Sequence, residues 1–407
     1  MTILAACMLA LAQGDPTLDA RVGSYVAQLH DDAARDHARD RLVHLGKPAL
    51  ALLEKADLDP AILASIRQEI LLNESLGPAY GPPHVFSFDG TEESLGVLLS
   101  RLEQVAGAPF QKNSLDLGLK LALKREDATY WETLDEICAK ASIWCVPTND
   151  PLYLTGGMAS QKPRAFYGPI IIVMDRLSQQ RRVTFSAIES ELSIYLAVAW
   201  EKSIAPLGPN GRYHLTAVTD DTGDSLLPFP GSPATAVRAG GHVRPSGQGL
   251  GLTGLKVPSA KAKKLLRVEG TFELEFPSRI DEVRFELAPE GATIGKEKEI
   301  DGAKVELKSF MPQAAWGATM TVAIRFADPK EGARFRIGTA DVEYLLPGDQ
   351  KRFGWIGSAT FSDGVYTFVT NWRNGGRQEL PKEVRLRVPR GGVIKNVPFC
   401  FKDVDLK

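Results

Sequence analysis

The apolar positions recur at helical spacing near the start of the chain and at strand spacing after about residue 164. Leu18, Val22, Tyr25 and Leu29 form one helical set, and Ala38, Leu42 and Leu45 a second. Ala49, Leu52, Leu53 and Ala56 form a third, and Ile62, Ile66 and Ile70 a fourth, which together predict helices over 16–76. Gly46 followed by Pro48 divides the second element from the third. Asp59-Pro60 opens the last, a cap residue with proline at the first helical position.

The stretch 77–83, rich in Gly and Pro, reads as a linker. Beyond it Val85-Phe86-Ser87-Phe88 predicts a strand, and Thr91-Glu92-Glu93 predicts a helix start with acids in its first turn. Leu95, Leu98, Leu99, Leu102 and Val105 continue that helix until Gly107 and Pro109 stop it. Leu115, Leu117, Leu119, Leu121 and Leu123 then alternate with polar residues, which predicts one strand face on a core. Thr129-Tyr130-Trp131-Glu132 spells a capping box for a second helix carrying Leu134, Ile137, Cys138 and Ala141. Ile143–Val146 and Leu152–Leu154 predict a hairpin. Strand-like runs follow at Ile170–Met174, Arg182–Phe185, Ser193–Ala199, Tyr213–Val218, Leu265–Phe276, Glu282–Leu287, Ala303–Leu307, Thr319–Phe326, Phe353–Phe361, Tyr366–Thr370, Glu383–Val388 and Val397–Val404. Their number and spacing suit two β-sandwiches with a boundary near Ala260, after a loop from Leu226 to Pro258. Asn371 to Arg377 reads as a hairpin tip.

Composition narrows the function. The 407 residues are 44% hydrophobic and 24% charged with a net charge of −2, so no cationic field draws nucleic acid or anionic lipid. Residues 1–12 are uncharged and end in Ala10-Leu11-Ala12, a signal-peptidase pattern, which predicts a periplasmic or otherwise exported protein. Leu4-Ala5-Ala6-Cys7 also fits a lipoprotein box, and an uncleaved cytosolic terminus is the plain alternative. No apolar run reaches the length of a membrane span. Cys138 and Cys145, on a helix and the next strand, suit either a disulfide or two buried thiols. With Cys400 they lack any zinc-site spacing.

Several motifs carry candidate chemistry. Gly223-Asp224-Ser225-Leu226 spells a hydrolase signature, but a serine nucleophile needs a base, and the one histidine after it, His242, has Ala239 where an aspartate belongs. Asp221-Thr222-Gly223 spells the aspartic-protease triplet in a polar context that favours a turn. Asp220, Asp221 and Asp224 lack the full spacing of a calcium loop. His37, Asp40 and His44 share a helix face, and a solvated charged face is the plainer reading than a metal site. Trp372, Arg373 and Arg377 form a candidate ligand-contact loop. No catalytic, metal or cofactor site emerges.

The order strand, helix, strand, helix, hairpin, with Ser94–Leu99, Leu117–Leu123 and Trp131–Ile137, resembles the short N-terminal (STN) module of secretins and TonB-dependent receptors. That resemblance implies an α+β interaction module of the bacterial envelope that works by oligomerisation or protein contact, though no barrel follows it here. The run 34–54 resembles a single HEAT-type unit. The chain as a whole is similar to exported bacterial proteins joining such parts to β-rich C-terminal domains. The expected layout is a signal at 1–12, a helical bundle at 13–78, the α+β module at 79–158, and two Ig-like β-sandwiches at 164–260 and 261–407. The expected function is non-enzymatic: a scaffold whose partners are envelope proteins or further copies of itself. An envelope ester or glycan hydrolase and a carbohydrate binder are the alternatives.

Overall fold

The computed structural model describes residues 16–31, 34–106, 109–146, 152–157, 162–183, 188–228, 234–235, 248–287, 295–313, 317–335, 337, 341–346, 348, 351–353, 355–372 and 380–406. The expected signal at 1–12 lies outside them. Among these residues seven α-helices and six small sheets make a mixed, strand-dominated architecture. No helix among the described residues is long and apolar enough to cross a membrane.

Four helices come first: α1 (Pro16–Gln28), α2 (Arg35–Leu45), α3 (Lys47–Leu53) and α4 (Pro60–Ser75). Their apolar stripes meet at Val22, Leu29, Leu42, Leu53, Ile66 and Ile70. Gly46 turns the chain between α2 and α3 at φ +71°, a conformation open to glycine. The Asp59 carboxylate caps α4 by accepting from Ala61 N at 2.7 Å, with Pro60 at the first helical position as expected.

Next come β1 (Val85–Ser94), α5 (Leu95–Ala106), β2 (Gln111–Asn113), β3 (Lys120–Thr129), α6 (Tyr130–Lys140), β4 (Ile143–Val146) and β5 (Tyr153–Gly156). β1 and β3 form an antiparallel ribbon, and β2, β5 and β4 form a second sheet with β2 parallel to β5. Leu98, Leu102, Leu123, Leu134, Ile137 and Leu154 share one core. Two expectations are corrected. The strand β1 runs through Thr91-Glu92-Glu93, so α5 starts at Leu95. The leucine run divides: Leu121 and Leu123 are buried on β3, whereas Leu117 and Leu119 lie in a turn, 43% and 36% exposed. The turn is held by Leu95 N donating to Leu119 O and Gly96 N to Leu117 O, which ties this backbone to the start of α5 instead of to a sheet.

The remaining strands build two pairs of sheets. β6 (Arg164–Tyr167), β7 (Ile170–Val183), β8 (Ile188–Trp200) and β11 (Gln248–Leu255) form one sheet. It faces β9 (Gly208–Asp220), β10 (Ala234–Thr235), β12 (Lys264–Phe276) and β22 (Val393–Asp405) across a core containing Ile194, Val198, Val268, Phe272 and Phe399. Ile170, Ile172 and Met174 of β7 enter this core, while Ile171 and Val173, with Ala199 of β8, enter the core of the β1–β5 unit on the other face. That two-sided burial explains an apolar run with no polar alternation.

A division at 260/261 does not match the strand pairing. β12 pairs with β9 and, from Lys264↔Asp405 to Phe276↔Val393, with β22, so strands from both sides of the expected boundary complete one sheet pair. The second pair is inserted between β12 and β22. It comprises β13 (Arg279–Glu286), β17 (Val342–Leu345), β18 (Lys351–Phe353) and β21 (Glu383–Arg390) facing β14 (Lys296–Ile300), β15 (Ala303–Gln313), β16 (Gly317–Phe326), β19 (Trp355–Ser362) and β20 (Val365–Trp372), with the short helix α7 (Pro329–Arg334) beside them. At the crossing Ser278 N donates to Arg390 O at 3.0 Å, and the Glu331 carboxylate receives Arg390 Nε at 2.6 Å.

The expected hairpin tip at Asn371–Arg377 falls largely outside the described residues. Of the strands on either side, β20 pairs with β16 and β19, and β21 pairs with β13 and β17. Asn371 and Trp372 close β20, and Arg373 and Arg377 lie outside the described residues.

The divided leucine run gives a direct test. Leu123→Ala should lower unfolding stability by about 2–5 kcal/mol, and Leu117→Ala by no more than about 0.5 kcal/mol, in urea titrations of the full chain. Equal losses would return all five leucines to one buried face.

Candidate functional site

Three polar clusters lie at the junctions between structural units, and one open groove lies on the surface. The first cluster joins the helices to the β1–β5 unit. Glu132 sits at the third position of α6, and its carboxylate accepts from Thr129 N at 2.7 Å, completing the expected capping box. The same carboxylate pairs with the guanidinium of Arg41, from the buried face of α2, and lies 3.5 Å from His37 Nδ1. Asp127, at φ +52°, receives Arg21 Nε at 2.6 Å and Tyr25 OH at 3.1 Å. Burial and the neighbouring Asp127 carboxylate push the Tyr25 hydroxyl up to about 12.

The second cluster joins the helices to the first sheet pair. His44 Nδ1 lies 2.7 Å from Asp40 O and 3.1 Å from Asp40 Oδ1, and Nε2 lies 3.0 Å from Tyr80 OH. Asp40 Oδ2 accepts from Gly168 N at 3.1 Å. Burial pushes the Asp40 carboxyl up, but the His44 ring, the Arg41 guanidinium and the Gly168 N–H outweigh it and hold the group below the usual carboxylate range. Gly168 is at φ +49°, and a Cβ there would stand 2.1 Å from His44 Nε2, so only glycine admits the ring. Beside it Lys395 of β22 is 1% exposed; its Nζ reaches Asn73 Oδ1 at 2.6 Å and Glu69 Oε1 at 3.3 Å. It also lies 5.1 Å from the ring centroids of Tyr80 and Tyr167. Burial lowers the Lys395 ammonium despite Glu69 and Asp40.

The third cluster joins the β1–β5 unit to β8. The buried Glu201 accepts from His84 N at 3.0 Å and lies 2.8 Å from His84 Nδ1. Trp131 Nε1 donates to Pro169 O at 3.0 Å. Burial raises the Glu201 carboxyl and outweighs the opposing His84 contacts.

These clusters relocate the sequence candidates. Asp40 and His44 do converge, but His37 turns to Glu132, so the three do not share one ligand position. No metal-ligating cluster occurs among the described residues. Asp220 is buried and serves its own turn, accepting from Thr222 N at 3.0 Å, Thr222 Oγ1 at 2.6 Å, Asp224 N at 3.1 Å and Ser259 N at 3.2 Å. Asp221 accepts from Lys263 N at 3.0 Å. Ser225 is exposed in the same turn, and His242 lies outside the described residues. Cys138 and Cys145 are buried free thiols in the core of the β1–β5 unit.

Lys395 was missed, although it falls in phase with the inward-facing Val397, Phe399 and Phe401 while its neighbour Ile394 points out. A lysine at a core register was the available signal.

The open groove, of about 650 Å³, runs along the β1–β3 ribbon. Asp89, Thr91 and Glu93 line it from β1, Lys124 and Glu126 from β3, and Arg101 from α5. Two register shifts, at Phe86/Phe88 and Asp89/Glu92, distort the ribbon beside it. Arg101 pairs with Glu93 at 2.8 Å. The walls carry both charge signs, acidic at Asp89, Glu93 and Glu126 and basic at Arg101, Lys124 and Arg125.

Comparison with protein-family models, curated proteins and solved structures finds no match for this chain.

Two measurements probe the junctions. Gly168→Ala should cost about 1–3 kcal/mol of stability through overlap with the His44 ring, and combining it with His44→Ala should cost clearly less than the sum of the two single changes. Simple additivity would mean that the residues do not touch. The raised Glu201 carboxyl means that the folded state binds its proton more tightly than the unfolded chain does. Its charged form therefore opposes folding as pH rises above the ordinary carboxylate range, about 4.3. Glu201→Gln should gain stability over wild type as pH rises from about 4.3 to 8. A gain that grows on acidification instead would contradict the assignment.

Proposed function

We propose that the chain is a non-enzymatic, exported envelope protein that acts as an interaction scaffold, with the β1–β3 ribbon as its contact surface and a second copy of the chain as the partner. The observation that carries this reading is the ribbon itself. It has only two strands, so each presents one backbone edge without a neighbouring strand among the described residues, next to an open groove of mixed charge. Exposed edges invite pairing with another chain, and a surface bearing both signs can complement itself about a two-fold axis.

The resemblance to the STN module is supported by the arrangement of α5 and α6 with a two-stranded and a three-stranded sheet. The HEAT-like reading of 34–54 is supported by the Gly46 corner between α2 and α3. Ig-like assignments for the β-rich parts draw support from their paired antiparallel sheets. Export rests on the character of residues 1–12. The hydrolase alternative is less favoured because Asp220 is engaged by backbone N–H groups of its own turn and Asp221 by the backbone N–H of Lys263.

Native mass spectrometry and sedimentation across a concentration series test the proposal. The full chain should self-associate, and the charge reversals Lys124→Glu with Arg101→Glu should weaken association at least tenfold without changing the unfolding midpoint. A chain that stays monomeric, or hydrolyses an ester or glycan with loss of turnover in Ser225→Ala, would overturn it.

A further inference from the structure

Cys138 lies in the last turn of α6 and Cys145 on β4, joined through the turn at Ala141 and Ser142, where Ser142 adopts φ +53°. The two side chains are 2% and 5% exposed and belong to the same apolar core. Cys400, on β22, is not part of that core. A disulfide needs its sulfurs about 2.0 Å apart, and two cysteines that share one core, on a helix end and on the strand that a short turn joins to it, are placed for such a bond.

We propose that Cys138 and Cys145 become a structural disulfide while the chain folds, with a disulfide-bearing thiol compound of an oxidising compartment as the oxidant. The cellular part of this proposal rests on the export reading above. The step is ordinary exchange. The Cys145 thiolate attacks the oxidant disulfide, breaking its S–S bond and releasing one thiolate, which takes up a proton. The Cys138 thiolate then attacks the Cys145 sulfur of the mixed disulfide and expels the second thiolate. Two cysteine thiols lose two electrons and two protons, and one oxidant disulfide becomes two thiols. The neighbouring Cys145 together with burial holds the Cys138 thiol well above its ordinary range, so little thiolate exists once the core has closed. The bond therefore forms during folding, and the folded reduced protein reacts slowly.

The test refolds the reduced full chain in a glutathione and glutathione-disulfide buffer, quenches in acid, alkylates, and digests with trypsin without reduction. Lys140 lies between the two cysteines, so the bond joins two separate peptides. The expected product is that linked pair, two hydrogens lighter than the sum of its parts and absent from Cys138→Ser and Cys145→Ser. The same buffer added to folded reduced protein should form it at least tenfold more slowly. Fully alkylated Cys138 and Cys145 after refolding, or a link to Cys400, would overturn the geometry. In acid-quenched producing cells, reduced thiols in a chain that fractionation places in the envelope would overturn the bond while leaving export standing. Reduced thiols in a chain retained in the cytosol would remove the export reading and the cellular bond together.

Discussion

The two-faced burial of β7 and its neighbour β8 is the constraint on which the architecture depends. Ile170, Ile172 and Met174 close one core, and Ile171, Val173 and Ala199 close another. A strand at the edge of a single core would alternate with polar residues, and this one cannot. Because one sheet serves as wall to both cores, the β1–β5 unit is fixed against the first sheet pair by apolar packing as well as by its tether.

Orientation at the junctions comes from buried polar groups. Glu132 caps α6 and receives Arg41; Asp40 holds His44 and the Gly168 N–H; Lys395 reaches from β22 to Asn73 and Glu69 on α4. Buried ion pairs add little net stability, since desolvation offsets much of the attraction, yet leaving one partner alone is heavily unfavourable. Groups of this kind permit one docking geometry and penalise others. They turn four helices and an α+β unit into parts of one body, with the β1–β3 ribbon and its groove left open beside it.

Local signals were legible wherever local physics decides the outcome. The Gly46 corner, the Asp59-Pro60 start, the Thr129 to Glu132 capping box and the apolar run at Ile170 all correspond to structural features. Non-local pairing was not legible. Nothing in Lys264–Phe276 states that its partner is Val393–Asp405, so the inserted sheets between them were read as a tandem neighbour. Leu117 and Leu119 keep strict alternation, but backbone bonds to Leu95 and Gly96 take them into a turn, a tertiary override of pattern. At the candidate sites, the spacing of Asp40 and His44 was visible, whereas Gly168, Tyr80 and Lys395 come from distant parts of the chain.

Native-state hydrogen exchange of the full chain, resolved by peptide, tests the shared-wall account most directly. The account predicts that amides of α2, α6 and β7 open together with one common free energy, while β15 and β16 of the inserted sheets form a separate cooperative unit. Helices α2 and α6 that exchange independently of β7, each at its own lower free energy, would contradict it.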